Sequence, residues 1–288
     1  MRVLQQLIYY GLRPALVAGA LAYWLADPDD GNRLLVSIFA AQIILGALER
    51  LTPARPDWLP TVARQARNAG LVLVLLILTG AVVALYDELL RTPLAEARMT
   101  LGLDGLWPHQ APLLVQVFMV FFCSEFIWYW MHRAEHRFAL IWRISGHGAH
   151  HSFKNLGALN FGLNHPLELF FITLPAALVE LFFGVGIAAA GAAALGVVQT
   201  GVVHANVRLN TRVVGWLFTT NRYHVHHHSM VLAESNTNYG CAAIVWDRVF
   251  GTFADAATQE TGTRPTEPTL AQQFLMPIRE PDDTAVAP

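Results

Sequence analysis

Charge is what this sequence has least of. Charged residues make up 14% of its 288 residues, against a hydrophobic share of 54% and a mean hydropathy of +0.39. Soluble domains carry about a quarter charged residues, so the composition excludes an ordinary soluble globule. It equally excludes a disordered chain, which would be polar and highly charged. A net charge of -2 without a basic stripe excludes nucleic acid as a partner. Cysteine is scarce too. Cys123 and Cys241 form no C-x-x-C pair, which removes a thiolate metal site and a disulfide framework, and both read as small buried residues. Lys154 is the only lysine. Nicotinamide and flavin fingerprints, Gly-rich phosphate loops and internal repeats are missing as well.

What the chain does have is long apolar runs. A membrane span needs roughly 20 mostly apolar residues. Leu4 to Ala26, Leu34 to Leu48, Ala69 to Tyr86 and Pro112 to Met131 approach that length. Pro166 to Val203 is too long for one helix, and Gly184 and Gly186 near its middle divide it into a helical hairpin, spanning or re-entrant. Arg13 and Pro14 inside the first run argue against a cleavable signal peptide. The intervening loops alternate in sign. Asp27 to Arg33 and Asp87 to His109 are mainly acidic, whereas Glu49 to Arg67 is mainly basic, and the segment after Met131 carries Arg133, Arg137, Arg143 and Lys154. Basic loops stay in the cytosol. The expectation is therefore an all-α integral membrane helical bundle, four spans plus the hairpin, with the N-terminus, the C-terminus and a helical histidine-rich cap on the cytosolic side. Three regions follow: 1–111, membrane helices and loops; 112–257, the chemistry-bearing region; and 258–288, a polar tail that is either a surface strap or disordered.

Of the twelve histidines, all but His109 lie beyond Met131. His132 and His136 read H-R-A-E-H; His147, His150 and His151 read H-G-A-H-H; His224, His227 and His228 fall in H-V-H-H-H, with His226 interposed. On a helix, positions three and four apart share a face, so each cluster can aim its rings to one side. Eight imidazoles exceed the four ligands of a closed zinc site and suit two ions a few ångströms apart. His165, heading NHPLE, and His204, in VVHAN, are expected at the same cytosolic level, each a ligand or a hydrogen-bonded structural residue. Glu125 lies inside the fourth apolar run on the face of His132 and His136, where an ionisable side chain is a functional suspect. It could orient a ligand or pair with another intramembrane polar group.

The order H-x-x-x-H, H-x-x-H-H, H-x-x-H-H resembles the fatty acid hydroxylase and sterol desaturase superfamily of membrane di-iron enzymes. EFIWYWMHRAEH, NHPLE, HAN, RYHVHHHS, NYG and WDRVFGTF resemble its motifs in the same order, across roughly Val120 to Phe253. The resemblance implies metal ligands at His132, His136, His147, His150, His151, His224, His227 and His228, with His204 and His165 as further ones. Glu125, Asn206 and Asp247 are the candidates for polar groups supporting them. It implies two Fe2+ ions, O2 as co-substrate, a lipid substrate taken from the membrane, and a separate electron donor, cytochrome b5-like or ferredoxin. Hydroxylation of an aliphatic chain or sterol-like lipid is the first reading; lipid desaturation or alkyl-ether cleavage within the same superfamily is the alternative. Imidazole suits iron, and zinc could occupy the cage as a non-native, redox-silent ion. Phe126, Trp128, Tyr129, Trp130 and Phe161 either line a lipid path or serve as interfacial anchors. Two remote readings remain. HRAEH can be read as the inverted zinc peptidase motif with Glu135 as base, which strands the other clusters. A metal transporter would need ionisable groups along its spans, which offer little beyond Glu125 and Glu180.

Overall fold

The computed structural model describes residues 2–279, and every regular element in it is helical. Four long helices come first: α1 (Arg2–Leu25), α2 (Gly31–Leu51), α3 (Val62–Thr100) and α4 (Leu113–Arg137). Two short helices, α5 (Ala139–Ser145) and α6 (His147–His151), turn the chain back. The hairpin α7 (Glu168–Phe183) and α8 (Ala188–His204) follows. Four small helices finish the chain: α9 (Asn221–His227), α10 (Leu232–Ser235), α11 (Val245–Phe250) and α12 (Leu270–Leu275).

By length and composition, three helices among the described residues are long and apolar enough to cross a membrane: α2, α3 and α4. The first expected span is helical as α1, but it is not one of those three. Its Arg13 is buried and turned inward, Nε donating to Gln199 Oε1 at 3.2 Å and Nη2 to the Thr219 carbonyl at 2.6 Å. The hairpin helices, 16 and 17 residues long, reach only about 25 Å at 1.5 Å per residue, short of a full crossing. The third run is longer than its apolar stretch suggests. Thr61 caps the Arg64 amide, and the helix continues through the expected loops on both sides to Thr100. Leu, Ala, Arg and Glu in its flanks are strong helix formers whatever their polarity. The outer faces of α2 and α3 carry exposed Ile43, Ile44, Leu73, Val74, Ile77 and Leu85, an apolar surface suited to lipid. The cysteine expectation fails in part, since Cys123 is exposed on α4 and Cys241 is half-buried.

Helix α8 is the hub. It packs against α1, α2, α4 and α9, while α3 pairs with α7. Trp24, Val117, Val120, Phe121, Ala188 and Leu195 form the main core cluster beneath the cap. A Cβ at Gly191 would land within 2.5 Å of Val117 Cγ2 and against the Trp24 ring. Only glycine there lets α8 approach α1 and α4 this closely. At the cap end, Glu49 of α2 accepts the Ala158 and Asn206 amides, each at 2.7 Å, tying the loops after α6 and α8 to the bundle.

Within the C-terminal region, residues 258–279 lie across the cap as a strap. The Met230 amide bonds the Glu260 carbonyl and the Gly262 amide the His228 carbonyl, each at 3.0 Å. Gln273 Nε2 donates to Ser152 Oγ at 2.9 Å, and Arg143 donates to the carbonyls of Pro277 and Ile278. The closing PDDTAVAP of the tail lies outside the described residues.

Candidate metal centre

The histidine-bearing elements all end at one level. The last two turns of α4 present His132 and His136. The single-turn α6 carries His147, His150 and His151. His204 closes α8, and α9 with its terminal residue supplies His224, His227 and His228. These nine side chains, all buried, sort into two adjoining groups. His132, His136, His147, His151 and His227 form one; His150, His204, His224 and His228 form the other.

Within each group the ring nitrogens face each other. In the first, Nε2 of His132 lies 2.9 Å from His147 Nε2 and 3.1 Å from His227 Nε2, and His136 Nε2 lies 3.1 Å from His147 Nε2. In the second, Nε2 of His204 lies 3.3 Å from His150 Nε2 and 2.8 Å from His224 Nε2, with His228 Nε2 3.0 Å beyond His224. The tautomers follow from the opposite edges of the rings. A backbone carbonyl can only accept, so Nδ1 must carry the proton where it meets one. His132 Nδ1 donates to Tyr239 O at 2.6 Å, His227 Nδ1 to Thr237 O at 2.7 Å, His204 Nδ1 to Thr200 O at 2.8 Å and His150 Nδ1 to Leu163 O at 3.4 Å. A neutral ring so protonated keeps a bare lone pair on Nε2. The pairs His132–His227 and His150–His204 therefore aim lone pair at lone pair. That arrangement is repulsive unless a cation lies between. Two donors about 2.1 Å from one ion and at right angles sit about 3.0 Å apart, which is the spacing found. His151 Nε2, buried and without a partner, is a further unspent donor.

The rings are also kept neutral. Burial, reinforced by neighbouring imidazoles, holds His147, His151, His224 and His228 well below the ordinary histidine pKa. Burial pushes His150 down to about 4. Neutral imidazole is the metal-binding form.

The loop behind His132 and His227 is built by the later motifs. Asn238 takes a left-handed conformation at φ 54°. Its side chain donates to the Tyr223 and Ala254 carbonyls and accepts the Ala254 amide. Asp247 accepts the Tyr239 and Gly240 amides at 2.8 and 2.7 Å and the Thr252 hydroxyl at 2.7 Å. NYG and WDRVFGTF thus aim two carbonyls at two imidazoles.

Not every expected residue joins the groups. His165 donates from Nε2 to Phe274 O at 3.0 Å and accepts the Leu167 amide at Nδ1, so both nitrogens are engaged elsewhere. His226 points to the Thr258 hydroxyl at 2.9 Å and belongs to neither group, which leaves the register of His224, His227 and His228. Glu125 accepts the Ala242 and Ala243 amides rather than an imidazole. Asn206 bonds Arg55 through its side chain. Asp247 acts one peptide removed, through Tyr239. Of the aromatic side chains, Trp128 stacks on His132 with centroids 5.0 Å apart, while Phe126, Tyr129 and Trp130 pack on Phe250. Sequence reasoning missed Glu168, whose Oε1 shares a hydrogen bond with His147 Nδ1 at 2.6 Å. The sign available was an acid heading an apolar run, the criterion that picked out Glu125. A cavity of about 20 Å³ beside His136, His151 and Trp142 has room for about one water.

A helical bundle with long apolar helices that ends in two adjoining polyhistidine groups able to bind metal defines a class of protein. Residues 117–252 match the fatty acid hydroxylase family, and this match together with the relatives supports the fatty acid hydroxylase and sterol desaturase superfamily. It is 28% identical to ornithine lipid hydroxylase OlsE of Rhizobium tropici, over 94% of this chain and 82% of that protein. It is 25% identical to alkylglycerol monooxygenase of Xenopus tropicalis over 47% of this chain and 30% of that protein. It is 26% identical to very-long-chain aldehyde decarbonylase GL1-11 of rice, Oryza sativa subsp. indica, over 51% of this chain and 56% of that protein. No solved structure matches the chain.

Proposed function

We propose that this chain is an O2-dependent di-iron lipid hydroxylase working at the cytosolic face of a membrane. The observation that carries the reading is the pair of adjoining imidazole groups with opposed lone pairs. His132, His136, His147, His151 and His227 would hold one iron, and His150, His204, His224 and His228 the other. Iron so held would reduce O2 and supply an oxidant able to take a hydrogen atom from an unactivated C–H bond. The chain's own contribution is positional. Backbone carbonyls of Thr200, Thr237 and Tyr239 fix ring orientation, burial keeps the rings neutral, and α2–α4 hold the cap against lipid.

Residues 112–257 carry this chemistry in the proposal, residues 1–111 anchor it, and four membrane helices plus the hairpin place the N-terminus, the cap and the C-terminus in the cytosol. Electrons come from a separate small redox protein. Hydroxylation is favoured over desaturation because the similarity to the ornithine lipid hydroxylase runs through 94% of this chain, membrane helices included. Ether cleavage is the second reading, supported by the similarity to alkylglycerol monooxygenase. The test is comparative lipid mass spectrometry of host cells with and without the gene, together with iron analysis of the purified protein. A lipid gaining one oxygen and a protein holding two irons are expected. Loss of two hydrogens, or appearance of an aldehyde with a free glycerol, would replace hydroxylation by desaturation or ether cleavage.

A further inference from the structure

Behind His147, on the side away from the first group, lie two carboxyl groups that the ligand set does not use. Glu168 Oε1 is 2.6 Å from His147 Nδ1 and Glu135 Oε2 is 3.8 Å from the same atom. Glu135 and Glu168 are 0% and 1% exposed. Both oxygens of Glu135 and the second oxygen of Glu168 have no hydrogen-bond partner. A buried carboxylate ion without partners is strongly disfavoured, and the group stays protonated unless a positive charge lies close. The Ser145 hydroxyl adjoins the Glu135 carboxyl, and the imidazole that both carboxyl groups face is His147, whose other nitrogen faces the first group. Among the described residues no other acid lies within 4.0 Å of a ring nitrogen of the nine histidines.

The charge count points the same way. Two divalent cations bring four positive charges, and nine neutral imidazoles cancel none of them. The remaining Nδ1 contacts of the set are to neutral backbone carbonyls. We infer that Glu135 and Glu168 are the counter-charge of the metal pair, placed on the five-histidine side alone. This rests on the di-iron reading above. Glu168 acts through the His147 proton, strengthening that ring as a donor. Glu135 makes no hydrogen bond to the ring and acts through space, where low polarity lets a charge act strongly. The two iron positions are then unequal. The five-histidine ion holds its higher oxidation state more readily than its four-histidine neighbour.

Both glutamates are positioning residues, and Glu135 separates a charge role from a hydrogen-bonding one. In full-length protein, E135Q keeps the shape and removes the charge, and E135D restores the charge. Iron and zinc affinities are measured by chelator competition, and the midpoint potential of the iron form by titration. E135Q is expected to lose roughly tenfold or more in affinity for both metals and to raise the midpoint, with E135D recovering most of both. Wild-type affinity and midpoint in E135Q would overturn the inference. Should E135Q not accumulate, E168Q is read the same way with the same two outcomes. A wild-type protein that takes up no iron pair would instead defeat the function proposed above, while the zinc affinities of the variants still decide the role of the glutamates.

Discussion

His151 and His228 stack face to face, their ring centroids 4.2 Å apart and their planes 16° from parallel, although one belongs to the five-histidine group and the other to the four. The two groups therefore share a wall, and the chain is continuous across it: His150 and His151 are neighbours, as are His227 and His228. A ring removed on one side of that wall disturbs an ion on the other.

Substituting His150 tests the wall. His150→Ala removes a donor from the four-histidine group and a contact with His228, whose ring lies 4.8 Å away. Activity should disappear and metal content fall from two ions towards one or none. His109, in the loop before α4, should tolerate alanine with activity unchanged. Equal activity in the two variants, measured by lipid mass spectrometry in cells, would contradict the assignment of the site.

The register of the last cluster has its own test. His228→Ala should abolish metal binding in the four-histidine group. His226→Ala removes the bond to Thr258 in the strap, an interaction worth about 1 kcal/mol, and the packing of a buried ring beside Glu234, so metal content should stay at the wild-type level while thermal stability drops. Metal analysis that finds the two variants reversed would move the ligand set by two residues.

Stability of the metal-free protein should depend on pH in one direction. Burial holds His147, His151, His224 and His228 well below their ordinary pKa and His150 at about 4. An unfolded chain takes up protons on these rings below about pH 6.5. Between there and about 4 these rings bind more protons unfolded than folded, and they outnumber the buried Glu168 and Asp247, whose raised pKa acts the opposite way, so stability rises with pH and falls on acidification. Melting of chelator-treated protein in detergent should shift to lower temperature as pH drops through that window. A flat profile would mean that the rings are not buried neutral.

Metal binding should stabilise the same protein. Any ion that binds the folded state alone adds about 2.7 kcal/mol at a hundredfold excess over its dissociation constant. Zinc, able to fill the cage but redox-silent, should raise the melting temperature much as ferrous iron does while leaving lipids unmodified. A zinc-loaded protein that hydroxylates lipid would overturn the redox role of the site.

How far the site could be read from sequence differs from residue to residue. His132 and His136 are legible because α-helical spacing alone puts them on one face, and the same rule chooses His224, His227 and His228 over His226. The partition into five and four is not legible. His151 and His150 part company because α6 is a single turn wedged between the ends of α4 and α8, a matter of tertiary packing. NHPLE shows the limit most clearly. Reading residue types singles out His165, whereas the structure brings in Glu168, since no spacing rule says which carboxyl will reach an imidazole 21 residues away. In the fold, the apolar runs located the long helices, but helix ends lay beyond the apolar stretches because capping and propensity, not hydropathy, stop a helix.

His165 has a different part to play, and Gly146 exposes it. Gly146 joins α5 to α6 with φ at 74°, a left-handed conformation that glycine adopts without penalty. A Cβ there would lie 2.5 Å from His165 Cγ. Gly146→Ala should therefore cost about 2–3 kcal/mol, part from the backbone and part from the clash, and should displace His147, the next residue, from the five-histidine group. In a His165→Gly background the clash disappears, the His165 Cβ at 2.7 Å included, and the backbone part, about 1 kcal/mol, remains. The double variant should be more stable than the sum of the two single changes, and should recover metal that Gly146→Ala has lost. Melting temperatures and metal content of the four proteins check this, and strict additivity would show that the His165 ring does not set the position of α6.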